Sequence, residues 1–314
     1  MQSILGPISR DLSLVILPGL ICIAVAEAVN GIPVLASIAM LIGIYFADAG
    51  HVYTTVFRFD RSSKKYQLLI LAPLVGFFLL FAIWPLSGLP GMWSLVIYMT
   101  LIHNLRQIFG IRRWYYRLEH RTDKPLSQYL FYLSYLLPFI AMHFRPQMSQ
   151  SDFYLIRALW IHPSLQVYNL MFYGSFLLGA TWIATELWQQ KTWKAMSSLY
   201  PFSQWAIYIY VFLFARSEMQ MMLPLVVSHG VAYMALIHHS RIKVYETSKW
   251  LPIIMVALAG GAFEYFTEYS ESRLTSPLLA SCLVALPLAA LFTHYYADTF
   301  IWKGSDPDAR KIYS

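Results

Sequence analysis

Charged side chains are scarce in this chain. Asp, Glu, Lys and Arg make up 12% of its 314 residues, whereas soluble domains carry about 25%. Hydrophobic residues reach 58% and fall into repeated runs, each long enough for the roughly 20 residues of a spanning helix. This composition excludes an ordinary soluble domain. It predicts an all-α, polytopic transmembrane helix bundle in which residues 1–314 form a single integral membrane domain.

Cysteine, sequence repeats and linkers are also scarce or absent. Cys22 and Cys282 are the only cysteines, and both lie in apolar runs, where they act as small hydrophobic residues. A disulfide framework is therefore excluded. The absence of repeat symmetry argues against a secondary transporter built from repeats. Because no small-residue cleavage site follows the first apolar run, we expect that run to be retained as a span.

Hydropathy predicts ten spans. The seventh is short and ends at Arg216-Ser217-Glu218, so nine spans with one re-entrant segment is the alternative. The ten segments are 12–29, 33–56, 66–84, 93–111, 126–144, 165–188, 202–216, 221–240, 250–267 and 276–302.

The distribution of basic residues is consistent with this threading. Alternate loops carry 18 Lys and Arg on one side and 4 on the other, and Arg106 inside a span completes the 23. Since cytoplasmic loops hold the basic excess, we predict ten spans in a bacterial inner membrane with both termini in the cytoplasm. The net charge of +7 follows from this bias and from anionic lipid headgroups, so membrane lipids are partners and nucleic acid is not.

Four even-numbered spans each carry a histidine shortly before a basic flank. His51, His103, His229 and His294 precede the start of their basic flanks, at Arg58, Arg112, Arg241 and Lys303, by 7, 9, 12 and 9 residues. At 1.5 Å per helical residue these offsets are roughly 10 to 18 Å. The four imidazoles are therefore predicted to lie at one depth, in the cytoplasmic half of a hydrocarbon layer about 30 Å thick.

Each of these histidines has a polar companion on its own helical face, as expected when the second ring nitrogen of a ligand needs an orienting partner. Thr54 and Thr55 also lie on the His51 face, and Arg106 lies beside Gln107. The three- or four-residue pairs are Asp48 with His51, Gln107 with His103, Tyr233 with His229 and Asp298 with His294.

Ionisable groups at this depth are costly and by default mark a functional site. Bound metal would offset the cost, because imidazole and carboxylate ligate iron, zinc and copper, and a four-His or 2-His-1-carboxylate set suits non-haem iron. Three interpretations stay open at this point: a metal or haem site, a proton or substrate pathway, and structural polar packing between helices.

Three other residues are further candidates for metal ligands. His238 and His239 abut a basic segment, which favours an exposed interfacial position over a second metal. Glu186 falls near the same cytoplasmic depth on the sixth span. It is either a carboxylate ligand or an interfacial anchor, and we favour the anchor.

Four stretches, DAGHVYTTVFR, HNLRQIFG, SHGVAYM and HYYADTFIW, resemble the motifs of a group of histidine-rich bacterial polytopic membrane proteins. In organisation they are similar to the Brp/Blh-type carotene dioxygenases, which gather histidines from separate membrane helices around non-haem iron and act on a hydrocarbon with oxygen. The His-Gly-x-x-x-Asp and His-x-x-x-His elements of that family are missing. The resemblance implies a membrane non-haem metal enzyme and leaves its substrate open.

We therefore predict a membrane-embedded metal oxidoreductase or oxygenase, with iron as the ion and zinc or copper as alternatives. Its partners would be an apolar, lipid-like or isoprenoid substrate, O2 and an electron donor. A bis-His haem protein and a proton-coupled transporter are the rivals. Gln107 and Tyr233 are predicted to hydrogen-bond to ligands or oxygen, and Arg106 to pair with an aspartate. The predicted ligands are His51, His103, His229, His294, Asp48 and Asp298.

Overall fold

The protein is all-α. The structure, a computed structural model, describes residues 3–58, 64–88, 91–146, 164–190, 195–239, 250–271 and 273–301. Within these ranges the chain forms helices and short connections and no strand, as predicted. A helix satisfies its backbone N–H and C=O groups within one segment, which hydrocarbon requires because it contains no water to bond them.

Ten long helices lie in the described ranges, and each overlaps one predicted span. Seven are long and apolar enough to cross a membrane, as expected of an integral membrane protein; α4, α5 and α7 are the others. The predicted span ends at 240 and 302 lie outside the described residues. The helices are α1 (Ile8–Val29), α2 (Pro33–Phe57), α3 (Lys64–Ile83), α4 (Met92–Leu118), α5 (Pro125–Met142), α6 (Leu165–Gln190), α7 (Met196–Ile209, continued by a π-helix at Tyr210–Phe214), α8 (Glu218–His239), α9 (Trp250–Glu271) and α10 (Pro277–Ile301).

Helix α7 begins six residues before its predicted start at 202. The first backbone N–H groups of a helix have no partner inside it. Here the Glu119 carboxylate accepts hydrogen bonds from the backbone N–H of Met196, at 2.8 Å, and from the Ser197 hydroxyl, at 2.5 Å. With its π-helical continuation α7 is helical through Phe214. It is not one of the seven helices long and apolar enough to cross a membrane, so the choice between a span and a re-entrant segment stays a prediction.

The helices fall into two compact units, Met1–Met40 with Trp93–His229 and Leu41–Met92 with Gly230–Ser314. The prediction of one membrane domain is not tested by this division and stays a prediction. In the first unit α5 packs against α6 around Phe131, Tyr135 and Trp182, which are all fully buried.

The second unit is held together by apolar packing of α3 on α10 and of α8 on α9. Phe77 and Phe81 lie against Phe292, with ring centroids 5.4 and 4.9 Å apart. Tyr233 and Ala257 belong to a buried cluster that joins α8 to α9. In each of these contacts the side chains of one helix pack against those of the next. This packing fixes the rotation of the helices that carry the site residues.

One face of α6 is apolar and uncovered. Leu170, Tyr173 and Leu177 are 74%, 71% and 70% exposed, and their spacing of three and four residues places them on one side of the helix. A soluble monomer rarely leaves such a stripe open, whereas lipid tails cover it in a membrane. By contrast α8, which carries His229, is largely buried.

Candidate metal centre

His51 lies two residues after the end of a π-helix, Ile42–Ala49, within α2. Such stretches are rare and are often found at functional sites. The His51 side chain is 1% exposed, and its Nδ1 lies 3.1 Å from the carbonyl oxygen of Ala47. Because a carbonyl can only accept a hydrogen bond, Nδ1 carries the proton and donates it. The lone pair of the neutral ring is then on Nε2.

Gly230 on α8 packs against the same carbonyl group. A Cβ atom added at this position would collide with the Ala47 carbonyl oxygen and would lie 3.3 Å from Nδ1 of His51. The obstacle is backbone, which cannot swing away as the end of a flexible side chain can. Glycine at 230 therefore allows the close approach that holds the His51 carbonyl partner in place.

The Gly230→Ala variant is expected to lose stability, by about 1 to 3 kcal/mol, because the added methyl group overpacks this contact. The measurement is the midpoint of thermal unfolding in detergent. Gly76→Ala is the matched control, since a Cβ there would meet nothing within 4 Å. Equal midpoints for the two variants would contradict the prediction.

His294 on α10 lies at the end of a chain of hydrogen bonds. Its Nδ1 is 2.6 Å from the Thr55 hydroxyl oxygen, which is 2.9 Å from the Tyr233 hydroxyl. Tyr233 in turn donates to Oδ1 of Asp298, at 3.0 Å. The rings of His51 and His294 are 5.0 Å apart, and the Tyr233 ring packs edge-on against both. The second unit thus supplies two oriented imidazoles.

His103 on α4 and His229 on α8 form a second imidazole pair, in the first unit. Their ring centroids are 5.1 Å apart and their planes meet at 79°. His229 is 7% exposed, and Nε2 of His103 is buried. The Gln107 amide donates to the backbone carbonyl of His229, at 3.2 Å, which ties α4 to α8 beside the pair.

The four histidines form one group that could hold a metal ion. Each offers one ring nitrogen, and the four nitrogens all lie within 4.8 Å of one another. No other group of three or more His, Cys, Asp or Glu side chains in the described part of the chain meets this test. We call His51, His103, His229 and His294 the four-histidine cluster; their position in the cytoplasmic half of the membrane stays a prediction.

The two predicted aspartate ligands lie beside the four-histidine cluster. Oδ1 of Asp48 is 3.8 Å from Nδ1 of His51, and Oδ2 of Asp298 is 3.8 Å from Nε2 of His294. Both distances exceed a hydrogen bond. Arg106 is exposed. The proposed chemical roles of Gln107, Tyr233 and Arg106, and the two aspartates as ligands, stay predictions.

The search for polar companions in the sequence missed two orienting groups, one on a distant helix and one in the backbone of the same helix. Thr55 is a same-helix companion of His51 by spacing, yet its hydroxyl contacts His294 on another helix. The carbonyl partner of His51 belongs to Ala47, a residue type that carries no signal for a polar site. Spacing of polar residues along one helix could not have found the first contact, and it gives no signal for the second, which lies within α2 four residues before His51.

Other polar residues lie outside the four-histidine cluster. His143 hydrogen-bonds through its two ring nitrogens to the Tyr98 hydroxyl, at 3.0 Å, and the Phe139 carbonyl, at 2.8 Å. Glu186 is fully buried and pairs with Arg112 at 2.8 Å, so the prediction of an interfacial anchor is wrong. A cation on a neighbouring helix offsets the cost of burying this carboxylate.

Comparison with known proteins yields no relative. No family model matches the chain, and neither a curated protein nor a solved structure matches it. The functional argument therefore depends on the residues and distances of the four-histidine cluster.

Proposed function

We propose that the protein is a membrane-embedded metal-dependent oxidoreductase that holds non-haem iron at the four-histidine cluster and acts on an apolar, lipid-like or isoprenoid substrate. The carrying observation is that four histidine nitrogens all lie within 4.8 Å of one another. Metal–imidazole bonds of about 2.0 to 2.1 Å place neighbouring nitrogens about 3 Å apart and opposite ones about 4 Å apart. Small side-chain shifts would bring all four into contact with one ion.

The donor set favours a transition metal over purely structural packing. Imidazoles in their neutral form are good ligands for iron, copper and zinc. Two of the four, His51 and His294, have Nδ1 within hydrogen-bonding distance of a neighbouring oxygen. Metal-binding histidines typically show this arrangement, because the second nitrogen must be held if the first is to face the ion.

Iron is favoured over zinc because of coordination number. Four protein ligands complete a tetrahedral zinc site and leave no open position. Iron accepts further ligands, so oxygen and substrate would have room. Bound iron would supply one-electron chemistry and oxygen activation. The resemblance in organisation to the Brp/Blh-type carotene dioxygenases supports the same choice.

The residues around the four-histidine cluster would orient its imidazoles and keep the site dry. The Tyr233 ring covers one side of His51 and His294, and Gln107 fixes the backbone at His229. Because apolar helices surround these residues, an apolar substrate could reach them from the lipid without passing through water. We place the protein in the bacterial inner membrane with both termini cytoplasmic, on the basic-residue count of 18 against 4.

Haem fits the distances less well than a single ion. Two axial histidines bind haem iron from opposite faces, and the macrocycle fills the space around the iron between them. In this protein the remaining two imidazoles also lie within 4.8 Å of the first two, where the macrocycle would have to be. The four-histidine cluster is therefore better suited to a bare ion.

The test is metal content and turnover of the full chain, purified in detergent and supplied with Fe²⁺ under reducing conditions. We expect about one iron per chain, no intense haem absorption, and oxygen consumption on adding apolar substrates with an electron donor. Absence of iron, zinc and copper after this treatment would rule out the metal centre. A haem spectrum would favour the haem protein, and substrate movement by metal-free protein in liposomes would favour the transporter.

A further inference from the structure

We infer that Thr55 is a positioning residue that fixes the ring tautomer of His294, and that Asp298 orients this ring through Tyr233 and Thr55 instead of binding the ion. The metal-affinity part of this inference rests on the proposed function. The tautomer part does not, because it concerns the metal-free protein.

The direction of the hydrogen bonds follows from counting protons. The Asp298 carboxylate accepts the bond from Tyr233, which uses the single proton of the Tyr233 hydroxyl. The Thr55 hydroxyl must then donate its own proton to Tyr233 across their 2.9 Å contact. The proton in the 2.6 Å contact between Thr55 and Nδ1 of His294 must therefore come from the ring. His294 is held with a proton on Nδ1 and a lone pair on Nε2.

The same geometry assigns Asp298 an orienting task. Its Oδ1 accepts from Tyr233, and Asp298 is not a member of the group whose ligand atoms all lie within 4.8 Å of one another. In the same way, the Ala47 carbonyl accepts a hydrogen bond from Nδ1 of His51 and orients that ring. Both imidazoles of the second unit thus carry their proton on Nδ1 and present Nε2, as an ion between them requires.

Thr54 offers a matched control for Thr55. Both threonines are buried, at 0% and 3% exposure. The Thr54 hydroxyl donates to the backbone carbonyl of His51, at 2.7 Å, which is an ordinary bond within its own helix. Replacing either residue by Val removes one hydroxyl at nearly constant shape, but only at Thr55 does this break the chain to His294.

The first experiment is ¹⁵N NMR of histidine-labelled, metal-free full-length protein in detergent, with His294 assigned by substitution. We expect the Nδ1–H tautomer in the parent and in Thr54→Val, a mixture of tautomers in Thr55→Val, and the parent tautomer again in Thr55→Ser. An unchanged His294 tautomer in folded Thr55→Val would overturn the inference, whether or not the parent binds metal.

The second experiment measures Fe²⁺ affinity in the same variants and in a double-mutant cycle. Thr55→Val and Asp298→Asn should each weaken binding about 10- to 100-fold, while Thr54→Val stays close to the parent. If the chain acts as a unit, the double variant loses little more than either single variant. Losses that multiply would show that Asp298 binds the ion independently. A parent that binds no metal would refute the proposed function, and the NMR result would still decide the role of Thr55.

Discussion

Replacing any one residue of the four-histidine cluster by Ala is expected to lower iron affinity by more than about a hundredfold, since even residues that only orient a ligand contribute 10- to 100-fold. A ligand forms a bond to the ion itself, and its loss leaves only three imidazoles to bind the metal. The measurement is iron per chain after dialysis against a weak chelator. All four variants, His51→Ala, His103→Ala, His229→Ala and His294→Ala, should fall from about one ion to close to none.

A buried histidine outside the cluster separates loss of a ligand from loss of the fold. His143 is 5% exposed and hydrogen-bonded on both ring nitrogens, so His143→Ala removes the same side chain at similar burial. It should keep the iron content of the parent, even if it unfolds at a lower temperature. A cluster variant that is folded and fully loaded with iron would exclude its histidine from the ligand set.

The Glu186→Ala substitution is expected to destabilise the protein by about 3 to 5 kcal/mol, because it removes one partner of a fully buried ion pair. Arg112 and Glu186 are both 0% exposed, and their charged groups are 2.8 Å apart. The hydroxyls of Tyr116 and Ser127 also donate to Glu186. Partial burial raises the pKa of the Asp123 carboxyl above its ordinary value, and the Arg112 guanidinium opposes that rise.

Thermal unfolding in detergent measures this effect, with Arg113→Ala as control. Arg113 is the exposed neighbour of Arg112 on α4, and losing an exposed charge costs little. The triple variant Arg112→Met, Asp123→Asn, Glu186→Leu should recover much of the stability, since it removes the fully buried pair together with the Asp123 charge, which is 9% exposed and also pairs with Arg112, at 2.9 Å. If Glu186→Ala and Arg113→Ala had equal midpoints, the pair would not stabilise the packing of α4 against α6.

Hydropathy and histidine spacing predicted the fold class and the candidate site from local information. Each predicted apolar segment overlaps a helix, because a chain in hydrocarbon has to satisfy its backbone within the segment. The regular distance of each histidine from its basic flank predicted a common depth, because rise per residue in a helix is constant. The four histidines were thus found without knowing how any helix is rotated.

Helix rotation and side-chain partners from distant segments were decided by the tertiary structure. The start of α7 depends on Glu119, which caps it from 77 residues away. The position of Glu186 depends on Arg112, a partner on another helix. Hydropathy along a single segment contains no information about either partner, so α7 was predicted to begin too late and Glu186 was predicted to be an interfacial anchor.

The sequence by itself determined that this protein is an all-α chain with membrane-type helices, and it predicted that four histidines lie at one depth. Only the tertiary structure decided that their nitrogens lie within 4.8 Å of one another and that Thr55 contacts His294 instead of supporting His51. Depth follows from counting residues along one helix. Whether the histidine side chains point toward one another depends on how apolar side chains and glycines such as Gly230 pack between helices. That packing is a property of the folded chain as a whole.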